Sequence, residues 1–397
     1  MSELAQLQSS ATEAEDWRHA GFGLYIHWPF CAAKCPYCDF NSHVASEISQ
    51  RAWRNAYLAE LRRGAVLVPD RIVNSVFFGG GTPSLMDPDT VADILAEIRR
   101  LWPHANDLEV TLEANPSSVE ADRFRAFQDA GVSRISIGIQ SLNDRSLQRL
   151  GRLHTATEAR AAFDIARKTF ARVSFDLIYA RQDQSLEEWR SELQDALEMA
   201  ADHLSLYQLT VEPGTAFAAR HDKGGLPGLP DDTLAADLYS LTQDCCAAAG
   251  LPAYEVSNHA FPGAESRHNL IYWRGGDWLG IGPGAHGRLT LPCGRTATTA
   301  IRSPSAWLHA VQTRGSGDTE IERLSSTEHA EEYLMMSLRL SEGTDLGRLS
   351  RLGLHLNPSK IDDLTEMDLV QSIAANLRTT AKGRLVLNAV LRDLLTG

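Results

Sequence analysis

Short apolar runs alternate with amphipathic helical patterns through the first half of the chain. Runs rich in Val, Ile, Leu, Phe and Tyr at Leu24–His27, Ile72–Phe78, Leu108–Glu113, Arg134–Ile139, Arg172–Tyr179 and His203–Leu209 read as buried strands, which tend to be near-continuously apolar. Helical patterns lie between them. After Asp87-Pro88, residues Val91, Ile94, Leu95, Ile98 and Leu101 recur at helical spacing. The Asp side chain is expected to accept from free N–H groups there, and Pro suits the first helical position. Leu186, Trp189, Leu193, Ala196 and Leu197 repeat the pattern behind Ser185. Strands alternating with helices imply an α/β fold with parallel strands joined by right-handed crossovers. Strand count alone leaves open whether the sheet is open or forms a complete or partial barrel.

Further along, Gly224–Pro230 reads as a loop, followed by a helix from Asp232 to Ala249 with Leu234, Leu238, Leu241 and Cys245 on one face. From about Thr327 the pattern becomes mainly helical and suggests a small winged-helix-like domain. The expected organisation is a flexible leader over residues 1–20, a core over 21–250, an extension over 251–326 and a C-terminal helical domain over 327–397.

Acidic residues outnumber basic ones, 51 to 38, for a formal net charge of −13. A field of that sign repels phosphate backbones and anionic lipid, so no nucleic-acid partner is expected. No stretch reaches the roughly 18 apolar residues of a membrane-spanning helix. Met1–His19 lacks the basic start and apolar run of a signal peptide. A cytoplasmic protein is expected, not an integral membrane one.

Of six cysteines, Cys31, Cys35 and Cys38 cluster as C-x3-C-x2-C in Tyr25-Ile-His-Trp-Pro-Phe-Cys-Ala-Ala-Lys-Cys-Pro-Tyr-Cys-Asp-Phe40. In a reducing compartment such a cluster points to a metal site. Two readings follow from the loop alone. His27 or His43 completes a closed zinc site, or three thiolates hold an iron–sulfur cubane with one iron left open for chemistry. Cys245 and Cys246 read as small core residues, and Cys293 has no assigned role.

This spacing, with an aromatic residue just before the third cysteine, resembles the radical S-adenosylmethionine (SAM) superfamily. The resemblance implies a partial six-stranded (β/α) TIM-like barrel with a [4Fe–4S] cluster at the mouth formed by the strands' C-terminal ends. It also implies that SAM chelates the open iron. Phe78-Gly-Gly-Gly-Thr-Pro83 is similar to that superfamily's glycine motif, and its glycines are expected to let the backbone approach the ligand. Within the coproporphyrinogen dehydrogenase-like branch, the resemblance implies that Tyr25, Gly80, Gly81, Thr82, Glu113, Gln140, Arg152 and Asp176 contact SAM. Tyr37 would lie near the cluster and a nucleoside.

That branch holds oxygen-independent coproporphyrinogen III dehydrogenases, which carry a fourth cysteine, and a heme-chaperone group. Here the fourth position is Phe40. His268-Asn-Leu-Ile-Tyr-Trp273 resembles the chaperone group's H-N-x-x-Y-W motif, which implies His268 as a heme ligand. The implied function is a heme chaperone that delivers heme to an acceptor such as a membrane-bound respiratory protein, the chain being peripheral at the membrane during transfer. The alternative is an oxidoreductase that decarboxylates porphyrinogen propionates. Ala180-Arg-Gln-Asp-Gln184 departs from the family's usual Gly-Leu-Pro-x-Gln. That change is expected to alter SAM geometry or to place a positive charge near a substrate propionate.

Overall fold

The computed structural model describes residues 16–45, 47–116 and 121–396. Six strands carry the first half: β1 (Phe22–Trp28), β2 (Val73–Gly80), β3 (His104–Ala114), β4 (Arg134–Gln140), β5 (Arg172–Tyr179) and β6 (His203–Gln208). Helices fill each crossover: α1 (Gln50–Leu67), α2 (Pro88–Leu101), α3 (Ala121–Ala130), α4 (Ala156–Thr169) and α5 (Leu186–Met199). After β6 come α6 (Asp232–Ala248), β7 (Asn258–Ala260), α7 (Arg267–Trp273), β8 (Asp277–Ile281), β9 (His286–Leu291), β10 (Gly294–Ala300) and β11 (Asp318–Arg323).

These strands form one sheet in the order β11-β10-β9-β8-β1-β2-β3-β4-β5-β6-β7. Strands β8, β1 and β2 through β6 are parallel. β7 is antiparallel to β6, and β9 to β11 continue antiparallel from β8. The barrel strands do not close on one another, because β7 and β8 extend the two sides on which closure would occur. The expected α/β partial barrel is therefore present. Residues 251–326 supply strands to both edges of its sheet.

The strands are not uniformly apolar, as the sequence reading held. They alternate. On β1, Phe22, Leu24, Ile26 and Trp28 are fully buried toward the helices. Phe22 meets Trp102 at the end of α2, and Trp28 meets Trp53 of α1. The other face carries Tyr25 and His27, then Ser75, Glu109, Thr111, Glu113, Arg134, Ser136, Ser174, Asp176, His203 and Ser205 on the following strands. Helix packing takes one face, and a polar interior takes the other. That interior is hydrogen-bonded: Arg134 donates to Ser174, Ser174 to Ser136, and Ser205 to Asn258, at 2.8 to 3.0 Å.

Helix starts follow the sequence with one correction. Ser185 forms a capping box with Glu188. Asp87 precedes α2 but its side chain makes no cap bond; its backbone N–H donates instead to Gln50 Oε1 of α1 at 3.2 Å. In α6 it is Cys246, not Cys245, that is fully buried beside Leu238 and Leu241. Cys245 is half-buried.

Residues 16–19, placed in the expected leader, form a 3-10 turn with Asp16 and Trp17 buried; residues 1–15 of that segment lie outside the described residues. Asp16 pairs with buried Arg348 at 2.5 Å, while Trp17 stacks under Arg71 at 4.0 Å. The C-terminal unit has its own core around Leu334, Leu349, Leu377 and Leu391. It combines helices Ser326–Ser337, Leu346–Arg351, Pro358–Glu366 and Leu387–Leu395 with a three-stranded sheet.

Asp277 at the start of β8 has no solvent exposure. It accepts from Arg71 at 3.0 Å, from the Thr290 N–H and hydroxyl at 2.8 Å each, and from Arg295 at 2.5 Å. Removing a buried partner strands the remaining charge. Asp277→Ala should therefore lower unfolding free energy by about 3–5 kcal/mol. Urea denaturation measures this, and a loss within the ~0.5 kcal/mol of a surface change would reject Asp277 as the anchor of β8.

Candidate functional site

One pocket opens where the parallel strands end. It is lined by Cys31, Cys35, Tyr37 and Cys38 from the loop after β1, by Gly80, Gly81 and Thr82 after β2, and by Glu113, Gln140, Arg152 and Asp176. Phe40, Asn115, Ser136 and Gly138 complete its wall. Parallel pairing creates this convergence, since each strand delivers its C-terminal end to the same side.

Each cysteine sulfur has a polar neighbour. Thr82 Oγ1 donates to Cys31 Sγ at 3.4 Å, and Arg152 Nη1 donates to Cys35 Sγ at 3.2 Å. Cys38 Sγ lies 3.8 Å from Ser42 Oγ. Such donors favour thiolates over thiols. No three His, Cys, Asp or Glu groups among the described residues converge as ligands of one metal ion. A cubane spreads its thiolates over separate irons, so this cysteine set fits a cluster. His27 Nε2 is bonded to the Asn41 carbonyl at 3.0 Å, and His43 Nε2 to Asn41 Oδ1 at 3.1 Å.

Two carboxylates face the same cavity. Desolvation deep in the pocket, then the nearby Asp176 charge, pushes Glu113 up to about 8 despite an N–H bond from Gly80. Desolvation raises Asp176 to about 6, against the stabilising Ser205, Arg134, Ser136 and Arg152. Both side chains keep some accessible surface, but that surface faces the cavity. Two such carboxyls suit a ligand amine. Arg152 Nε is buried without a partner, a free donor suited to a ligand carboxylate. Amine and carboxylate together match an amino-acid moiety, and the donor set fits SAM on a cluster.

The glycine run also has a local packing reason. A Cβ on Gly79 would meet the Tyr25 ring at 2.9 Å, one on Gly80 the His27 ring at 2.5 Å, and one on Gly81 the Phe30 carbonyl oxygen at 2.6 Å. These glycines let β2 press against β1 and the cysteine loop. The sequence signal was the triplet itself, but the packing partners come from elsewhere in the chain.

Tyr25 stands below the pocket wall, its hydroxyl 3.1 Å from His27 Nδ1 and its ring stacked on Phe77. His268 is not brought to the mouth. It lies near the N-terminal ends of β1 and β2, with Nδ1 bonded to Ser75 Oγ at 2.8 Å and Nε2 to Tyr272 at 2.7 Å. It is 1% exposed and stacks on Phe77. Burial lowers its pKa to about 3, so the ring is neutral.

The loop after β5 resolves the departure from the family pattern. Ala180 takes φ 58°, the left-handed region that a glycine would occupy without strain. Arg181 adds no free charge to the pocket. Its guanidinium is buried against Glu192, which also accepts from Ser141 at 2.6 Å. Gln140, at the end of β4, is likewise left-handed at φ 72°. Sequence patterning gave no sign of that strain, which is characteristic of residues aimed at a ligand.

Residues 25–196 match the radical SAM superfamily, and residues 324–386 match the HemN C-terminal domain. The chain is 39% identical to the heme chaperone HemW of Haemophilus influenzae, over 94% of this chain and 97% of that one. It is 41% identical to a mouse protein named radical S-adenosyl methionine domain-containing protein 1, mitochondrial, over 94% and 87%. The fold matches Escherichia coli coproporphyrinogen III oxidase (HemN), a radical SAM enzyme, with a TM-score of 0.79 at 22% identity, covering 99% and 93% of the two chains.

A raised carboxyl pKa means folding takes up a proton. That stability is fully present below the ordinary carboxylate range and is lost as pH rises through about 8 for Glu113. The N–H donors of the ligand's amine favour the carboxylate, so binding releases the proton. In cluster-loaded protein, SAM affinity should rise with pH up to about 8. Glu113→Gln should flatten that rise. Calorimetry in buffers of different ionisation enthalpy counts the proton, and an unchanged profile in the variant would clear Glu113 of the role.

Proposed function

The chain belongs to the radical SAM superfamily and, within it, to the family of the heme chaperone HemW; on that premise we propose that it binds heme and delivers it to an acceptor such as a membrane-bound respiratory protein. The observation that carries this reading is the near full-length correspondence to that chaperone, 94% of one chain against 97% of the other. It takes in the sheet and the C-terminal unit alike. The match to coproporphyrinogen III oxidase extends to the fold, and Phe40 stands where the dehydrogenase pattern has a cysteine.

Radical SAM membership implies a [4Fe–4S] cluster and SAM, the cluster supplying an open iron that SAM chelates. In this reading Cys31, Cys35 and Cys38 hold the cluster, with Thr82 and Arg152 donating to the first two sulfurs. Glu113 and Asp176 accept from the N–H groups of the SAM amine, and Arg152 donates to its carboxylate. Gly80, Gly81 and Gln140 shape the pocket, Tyr37 flanks the nucleoside, and Tyr25 braces the β2 end. The protein works in the cytoplasm and meets the membrane through its acceptor. No helix among the described residues is long and apolar enough to cross a membrane.

We read His268 as a core residue rather than the iron ligand, since both ring nitrogens are already bonded and the ring lies at the end of the strands opposite the mouth. An anaerobic heme titration of cluster-reconstituted protein, followed at the Soret band, should saturate at one heme per chain. His268→Ala should lower stability by about 2–3 kcal/mol, through loss of buried packing and stranding of Ser75 and Tyr272, and should leave the heme spectrum intact. A changed Soret band in the folded variant would restore His268 as the ligand. Absence of specific binding by the wild type would overturn the chaperone reading.

Cluster ligation is tested separately. Cys31→Ala should lower the iron and sulfide retained after reconstitution, and unchanged content would defeat the assignment.

A further inference from the structure

We propose that a basic cleft beside the cysteine loop, formed by Lys34, Arg149 and Arg220, seats the propionates of heme, so that the porphyrin lies across the mouth of the barrel. This rests on the heme-binding reading and adds the anionic subsite to it.

The cleft is separate from the cofactor pocket and shares only Cys35 and Cys38 with it. Its volume is about 610 Å³, within the range of about 300–1,000 Å³ typical of small-molecule sites. Three cations line it and no carboxylate does, on a chain whose net charge is −13. A local concentration of positive charge against that background selects an anionic ligand.

The three cations remain available. Arg220 is exposed, and its side chain has no hydrogen-bond or ion-pair partner among the described residues. Lys34 spends one donor on the Ser42 carbonyl at 3.3 Å. Arg149 donates to the Gln182 carbonyl and to Asp183, each at 3.0 Å. The Arg149–Asp183 pair is solvent-exposed, with side chains 37% and 60% accessible, and such pairs exchange partners at little cost.

Apolar surface stands on the same loops. Phe40 is 58% exposed two residues after Cys38, and Leu153 is 69% exposed two residues after the cleft residue Gly151. A flat apolar ring with two carboxylates on one edge complements exposed Phe and Leu beside three cations. On the interior side, helix α7 packs across the strands, with His268 bonded to Ser75 of β2 and the Arg267 N–H bonded to Glu109 of β3.

The test compares heme with heme dimethyl ester, which keeps the iron and the ring and masks both propionates. Reconstituted wild type should prefer heme by about tenfold at low ionic strength, the scale of one charge-assisted hydrogen bond. Added salt should narrow that gap. Arg220→Glu should abolish the preference while diester affinity, iron content and melting temperature stay unchanged, and Arg220→Lys should keep most of it. Equal binding of both compounds by the wild type overturns the propionate site and leaves the chaperone reading standing. Failure to bind either compound overturns both. A preference that survives Arg220→Glu overturns this cleft. Slower cluster reduction by an acidic electron-donor protein in Arg220→Glu, with heme preference intact, would give the cleft to a protein partner instead.

Discussion

Everything at the mouth depends on the two-residue alternation of the parallel strands. On β5, Phe175 and Leu177 are buried among the helices while Asp176 between them faces the cavity. A slip of one residue would exchange those faces and put a carboxylate into the helix layer. The register is held by large apolar side chains on the helix side, notably Tyr179 of β5 stacked on Trp189 and Trp28 of β1 against Trp53. Packing on one face therefore fixes the chemistry on the other.

The pocket is also an electrostatic bargain left incomplete by the protein alone. Burial raises both Glu113 and Asp176, the Asp176 charge raises Glu113 further, and neither makes a salt bridge with a lysine or arginine among the described residues. The thiols of Cys31 and Cys38 are pushed up by burial, against the hydrogen bonds they receive. Groups that cost free energy when ionised alone become favourable once a cation or an electrophilic metal faces them. The site is thus poised for its ligands rather than for its own stability.

Much of this was legible in the sequence. The six expected strands overlap the observed ones, and the residues expected to contact the cofactors, apart from Tyr25 and His268, line a single pocket. What escaped was long-range. Local periodicity reports an element's type but not its neighbour, so the parallel docking of β8 on β1 could not be read. Nor could the clash partners of Gly79 to Gly81, the Glu192 that neutralises Arg181, or the Gln50 that accepts from the Asp87 N–H. The polar half of the strand alternation is visible in Arg134-Ile-Ser-Ile-Gly-Ile-Gln140, where Ser136 alternates with buried isoleucines. The motif His268-Asn-Leu-Ile-Tyr-Trp273 carries no information on depth, and the structure buries His268.

Helix α7 is held from both sides. Its inner face is bonded to β2 and β3, and Arg274 just beyond its end pairs with Glu342 of the C-terminal unit at 2.7 Å. With the far end of the barrel obstructed in this way, ligands that enter by the mouth stack in an order. A cluster must be installed first, and SAM placed on it next. A flat molecule across Phe40 and Leu153 would come last and would have to leave before anything beneath it could be exchanged. The sequence of loading is then a property of the architecture and needs no separate gate.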